Sequence, residues 1–293
     1  MISYATQLRH ELSVRNAAYA AACGLIHACS FGEQSVIVYS PHSHDQRHGN
    51  FIDASYAAIL SQNEWKRRLA KSHSSVRSLP RAERKWKELD SCMSSDALLM
   101  NVFCHPRAVK HQSVRSMLGI ATDEGPRFGY PARVPLLNSH TDRTEVDMKL
   151  GSLLVESKLT ETDFQTQKPG IVESYRDLHA VFEWKELPRV GEHYSSYQLL
   201  RNVLAAYAFG LSFCVLLDAR RPDLLEAWYA VMKCIRVADL RTRCKVLTWQ
   251  ELSGVLPRDL QNFLDLKYGI VPPGSLPIAI NDPYSSGHGQ SFE

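Results

Sequence analysis

A chain of 293 residues, 44% hydrophobic and 22% charged, can bury a full core and hold one large domain or two small ones. A net charge of +3 is too small to mark a nucleic-acid binder by bulk charge, and no apolar run approaches the roughly 20 residues that a bilayer span needs. Seven cysteines, odd in number and irregularly spaced, argue against a disulfide framework, and no basic-then-apolar leader is present, so the chain is expected in the cytoplasm.

In chain order, residues 5–29 are alanine-rich and read as a helix. A polar loop follows around Pro41 to Asn50 with His42, His44 and His48, which read as surface histidines rather than metal ligands. Helical patterns resume over 51–71 and 80–90. Within this region, residues 64–87 carry nine Lys and Arg against Glu64 and Glu83, a local +7 that leaves −4 for the rest of the chain. Such a basic segment, with Trp65 and Trp86 inside it, can neutralise phosphates, and Arg67, Arg68, Lys71, Arg84 and Lys85 are its candidate contacts. Ser94-Ser95-Asp96 resembles a helix cap before the apolar run Ala97 to Phe103. Cys104-His105 and distant Cys92 lack the CxxC or HxxxH partner of a structural zinc site. Residues 105–140, rich in Pro, Gly and Arg, read as irregular, with one short strand near Arg133 to Leu137.

Thr144 to Leu159, TEVDMKLGSLLVESKL, reads as a β-hairpin. Glu145, Asp147, Lys149, Glu156 and Lys158 mark a polar face; Val146, Met148, Leu150, Leu153, Val155 and Leu159 mark an apolar one. A two-residue turn at Gly151-Ser152 sets Asp147 opposite Glu156, and Glu145 opposite Lys158. Facing carboxylates repel, and a divalent cation such as Mg2+, with Mn2+ as a substitute, removes that repulsion. The expected metal pair is therefore Asp147 and Glu156. Glu145 can add a ligand or pair with Lys158, and pairing is the expected role.

After the hairpin, Tyr197 to Phe209 is helical, and Ser212 to Asp218 is a continuous apolar strand of the kind buried on both faces. Asp223 to Ile235 is a helix, Lys245 to Thr248 a strand and Arg258 to Lys267 another helix, before a loose tail. The order predicts an α/β core around a mixed sheet flanked by helices. Three parts are expected: a mainly helical N-terminal region over 1–93, the core over 94–270 and a flexible tail over 271–293.

That order, with Asp147 followed after eight residues by Glu156-Ser157-Lys158, resembles the PD-(D/E)XK, or restriction endonuclease-like, nuclease superfamily. The stretches DRTEVDMK, ESKLTE, YQLLRNVLAAY and DARRPDL are similar to an uncharacterised bacterial branch of it. Val146 stands where many members have proline. The resemblance implies a Mg2+-dependent nuclease acting on DNA, with Asp147, Glu156 and the Ser157 carbonyl on the metal. Lys158 would lower the pKa of the attacking water or steady the phosphate.

Gln198, at the start of the following helix, stands where related nucleases often carry a glutamine near the active site. Arg201 shares its helical face and can contact phosphate. The resemblance also implies an upstream acid, for which Asp96 and Glu88 are the candidates; Asp96 also suits a capping role. Arg220 and Arg221, after the buried strand, are further candidate DNA contacts. Cleavage of both strands would suit a homodimer. The alternatives are a catalytically silent nuclease-fold protein that binds nucleic acid, and an enzyme built on the Cys and His residues. No GxSxG, phosphate loop or dinucleotide fingerprint supports a third chemistry.

Overall fold

Gly151 turns the hairpin at φ +56°, a left-handed conformation that glycine adopts without strain. In the computed structural model, which describes residues 2–30, 36–40, 47–73, 76, 80–121 and 124–276, the expected register holds beside the turn. Leu150 pairs with Leu153, Lys149 with Leu154 and Met148 with Val155.

The central sheet has five strands: β1 (Arg127–Pro131), β2 (Glu145–Leu150), β3 (Leu153–Ser157), β4 (Ser212–Leu217) and β5 (Cys244–Thr248). Their spatial order is β5-β4-β3-β2-β1. β1, β2 and β3 pair antiparallel, while β3, β4 and β5 run parallel, so the sheet is mixed as expected. β2 alternates exposed or half-buried with buried positions, as its sequence predicts. β3 does not alternate, because all five of its residues are buried in the middle strand of a sheet covered on both faces. The second arm of the hairpin is therefore interior, and its charges with it.

The helices longer than four residues are α1 (Tyr4–Ala22), α2 (Asp53–Ser61), α3 (Asn63–Arg68), α4 (Ser95–Phe103), α5 (Gln112–Leu118), α6 (Tyr197–Ala208), α7 (Pro222–Met232), α8 (Ala238–Arg243), α9 (Trp249–Ser253) and α10 (Arg258–Tyr268). One core gathers Leu154, Phe213 and Val215 with Leu199, Val203 and Trp228 of α6 and α7. The other gathers Met148, Val155 and Leu216 with Leu8 and Leu12 of α1, Leu98 and Val102 of α4, Trp249 of α9 and Leu264 of α10. The helix α4 is buried at all nine positions, since Ala97 and Met100 also meet Ile59 and Trp65 of α2 and α3. That second layer brings the basic end of α3 toward the sheet.

Several expectations change. The helix over 5–29 stops at Ala22, Gly24 takes φ +61°, and His27–Ser30 pairs antiparallel with Val36–Tyr39. The helix expected over 51–71 is two, split where Gln62 is extended. The one expected over 80–90 is two 3-10 turns, Arg81–Glu83 and Glu88–Asp90. Residues 105–140 hold α5 and the edge strand β1, while the expected short strand is reduced to the pair Val134–Pro135 and a single bridge from Leu136 to Tyr175. Ser94, not Asp96, caps α4, its hydroxyl accepting the Ala97 amide at 3.1 Å. His42, His44, Arg77 and residues 277–293 lie outside the described residues.

Candidate active site

β2 and β3 part company just beyond Met148 and Val155, and the candidate site sits in that fork. Asp147 spans it: its Oδ2 accepts the Ser157 amide at 2.7 Å. Beside it, Glu156 has no exposed surface, and Lys158 is almost fully buried. Residues two apart on a strand share a face, so Lys158 Nζ reaches Glu156 Oε1 at 2.9 Å. The other oxygen, Glu156 Oε2, accepts from Asn202 Nδ2 of α6 at 2.8 Å. The fork thus brings Asp147, Ser157, Glu156 and Lys158 together, with Asn202 added from the helix above.

The titration of these groups follows from crowding. Burial pushes the Asp147 carboxyl well above the usual carboxylate range; the charges of Glu156 and Asp96 push it further, against a smaller pull from Lys158. Lys158 shows the opposite balance. Burial lowers it, but Glu156, Glu161 and Asp147 outweigh burial and hold the ammonium above the ordinary lysine value. Its Nζ also lies 5.5 Å from the Phe164 ring centroid, a cation–π contact.

Asp96, in the first turn of α4, closes the site from the other side. Its Oδ2 meets Arg68 Nη2 at 3.1 Å and Lys71 Nζ at 2.5 Å. Arg68 also bonds Glu145 Oε2 through Nη1 at 3.0 Å, so one guanidinium ties two acids together. Gly129 makes room for it. The pairs Phe128–Met148 and Tyr130–Val146 leave Gly129 opposite Asp147 in the register. A Cβ at Gly129 would fall 2.6 Å from Glu145 Oε2 and would collide with Arg68 Nη1. Burial depresses the Arg68 guanidinium, but Asp96, Glu145 and Asp147 together raise it, so it stays charged over the acids.

Other expected site residues fall elsewhere. Glu145 does not pair with Lys158. Its carboxyl turns outward to Arg68, because Lys158 is drawn inward by Glu156. Arg201 is buried; its Nη2 donates to the Glu145 carbonyl at 2.9 Å, which leaves it bracing β2 rather than reaching phosphate. Arg221 has no exposed surface; it donates to the carbonyls of Leu159, Glu161 and Thr162 and pairs with Asp223. It is a staple for the segment after β3, not a DNA contact. Arg220 pairs with Asp218 and Glu11. Arg67, Arg84 and Lys85 are exposed, and Lys85 Nζ lies 4.8 Å from the Trp86 ring centroid.

Gln198 begins α6 with its amide bonded to the Phe164 carbonyl at 3.0 Å, and its buried Oε1 has no hydrogen-bond partner. Glu88 ends in a 3-10 turn with Asp90, whose Oδ1 faces His48 Nε2 at 3.1 Å. Cys104 is buried, and His105 Nε2 faces Asp259 Oδ2 at 3.2 Å. Among the described residues no three His, Cys, Asp or Glu side chains converge closely enough to hold a metal by themselves. Sequence reasoning missed Asn202 and the bracing role of Arg68. Asn202 lies one turn beyond Gln198 on α6, the only signal that pointed to it.

A family model described as restriction endonuclease associating with ARP matches residues 16–269, from within α1 to the end of α10. The chain belongs to this family. The match includes every residue of the fork, and the five-stranded mixed sheet flanked by helices accords with a restriction endonuclease-like fold. Family membership points to nuclease chemistry and implies nucleic acid as the partner. No curated protein and no solved structure matches the chain. Among the described residues no helix is long and apolar enough to cross a membrane.

Proposed function

We propose that the protein is a metal-dependent nuclease of the PD-(D/E)XK type that hydrolyses phosphodiester bonds in DNA, with Asp147, Glu156 and Lys158 as its working residues. The observation that carries this reading is the fork itself: a buried carboxylate and a buried lysine, Glu156 and Lys158, with the half-buried Asp147 beside them, where a sheet gains nothing from charge. Burial of ionised groups costs several kcal/mol each unless they are paired. Asp147 bears that cost with only partial relief, since Glu156 and Asp96 raise its pKa more than Lys158 lowers it.

The donor set fits Mg2+ or Mn2+. Hard carboxylate oxygens suit such ions, which keep several waters and need few protein ligands. Asp147 and Glu156 would hold the ion with the Ser157 carbonyl, and no third acid is required. Asp96 and Glu145, each held by Arg68 through one oxygen, would be the acids next to the ion. When bound, the metal supplies Lewis acidity for the phosphate and a water of lowered pKa.

The chain's own residues do the rest. Lys158 keeps its proton and steadies the scissile phosphate. Asn202 fixes Glu156 by one oxygen, as a hydrogen-bonded neighbour does for a ligating carboxylate. Gln198, one turn before Asn202 on α6, has a buried acceptor without a protein donor and would orient the attacking water if its side chain turns to the fork. Arg67 of α3 and Arg84 and Lys85 of the turns after it, all exposed, would receive the DNA backbone.

Supercoiled plasmid and single-stranded DNA incubated with the protein and Mg2+ or Mn2+ test the proposal. Cleavage that is abolished by EDTA and by Asp147→Ala supports it, whereas equal cleavage by wild type and variant, or none by either, overturns it.

A further inference from the structure

β1 is the outermost strand of the sheet, and a cleft of about 210 Å³ opens between it and α3. Its walls include Glu64, Trp65 and Arg67 from α3, and Arg127, Gly129 and Tyr130 from β1. One wall is fixed: Trp65 Nε1 donates to the Pro126 carbonyl at 3.0 Å, and the Trp65 and Phe128 rings meet edge to face at 6.1 Å. On the opposite side the Arg127 guanidinium lies 5.2 Å from the Tyr130 ring centroid, a planar cation beside an aromatic face. Arg67 and Arg127 are both exposed. Gly129, the residue opposite Asp147 in the register, also lines the cleft, so the cleft lies one strand away from the fork.

We propose that this cleft takes an unstacked base of a single-stranded nucleic-acid segment whose backbone runs on to the fork. The proposal rests on the nuclease reading of the fork and names its substrate form. Single-strand recognition combines a positive track for phosphates with aromatic or guanidinium planes on which bases stack. The Arg127–Tyr130 pair supplies the plane, and the exposed Arg67 supplies charge beside it. Glu64 bars a phosphate from the cleft but can accept a hydrogen bond from a base amino group. A duplex presents base edges and keeps base faces within its stack, so it cannot use such a slot without extruding a nucleotide.

The test uses the full chain in EDTA, which prevents metal-dependent cutting. A fluorescein-labelled single-stranded DNA of about 12 nucleotides and the blunt duplex of the same sequence are the probes, read by anisotropy. Tyr130→Ala and Arg127→Ala should each weaken single-strand binding roughly tenfold, in line with the loss of one stacked base, and change duplex binding much less. Tyr130→Phe, which keeps the ring, should bind as wild type. An abasic site walked along the strand should, at one position, weaken wild type to the level of Tyr130→Ala and leave that variant unaffected. Failure of the wild type to bind single strands, equal losses on both probes, or Tyr130→Ala binding as wild type would overturn the proposal. Failure of the nuclease reading appears separately, as single-strand binding that depends on Tyr130 in a protein that never cuts.

Discussion

Lys158 and Lys267 are both buried, yet their surroundings move them in opposite directions. Lys158 sits in the fork among Glu156, Glu161 and Asp147, whose charges outweigh burial and keep it protonated. Lys267 sits where α10 meets α1, with Asn16 Oδ1 at 2.7 Å, the Gly49 carbonyl at 3.3 Å and the Tyr39 ring centroid at 3.9 Å. Burial with those uncharged partners pulls it down to about 7. Both regions bury an amine; only the fork buries its counter-charges with it. A helix junction can satisfy a lysine with dipoles and ring faces, whereas a cluster of like carboxylates beside one ammonium has little structural rationale. That contrast is why the fork reads as chemistry and the junction as packing.

The largest expected effect breaks the fork's side of the contrast. Asp147→Asn should lower DNA cleavage by more than about a hundredfold, since even outer partners of metal ligands cost ten- to a hundredfold. Without metal the same variant should melt higher than wild type, because the amide can still accept the Ser157 amide and no longer repels Glu156; calorimetry checks this. Next comes Lys158→Met, which strands Glu156 with Asn202 alone. Unfolding in urea should show a loss of roughly 3–5 kcal/mol. The double variant Glu156→Gln/Lys158→Met should recover much of that stability and still not cut, which separates folding from catalysis.

Asn202→Ala should keep the fold and weaken metal-supported cleavage by roughly ten- to a hundredfold through a loosened Glu156, visible as a higher Mn2+ requirement. The smallest effect sharpens the junction's side. A folded lysine near 7 binds fewer protons than its unfolded counterpart between about pH 7 and the unperturbed lysine value near 10.4. Wild-type stability should therefore gain a contribution as pH rises through that window. In Lys267→Met that gain should vanish while cleavage at neutral pH persists; an unchanged pH profile of the melting temperature would remove Lys267 from the account.

The hairpin was legible because its signal is local: alternation on β2 and one glycine fix the turn, and the turn fixes the register for the pairs next to it. The continuous apolar run of β4 and the period of α6 were legible for the same reason. What escaped depends on distant chain. That β3 lies mid-sheet, so that Glu156 and Lys158 are interior neighbours, requires β4 to pair with it from more than 50 residues away. Glu145 found Arg68, 77 residues upstream, instead of Lys158. Arg201 and Arg221 look like surface cations in sequence and became buried staples only because backbone carbonyls converge on them. The edge strand β1 was hidden by the Pro, Gly and Arg content around it, though its glycine is what admits Arg68 beside Asp147.

Crystals soaked in Mn2+ and measured at the manganese absorption edge test the central claim most directly. An anomalous peak is expected in the fork, at about 2.1 Å from carboxylate oxygens of Asp147 and Glu156, and its loss in Asp147→Asn. A fork without a peak while Lys158 and Asn202 keep their hold on Glu156, or a peak that survives Asp147→Asn unchanged, would contradict it.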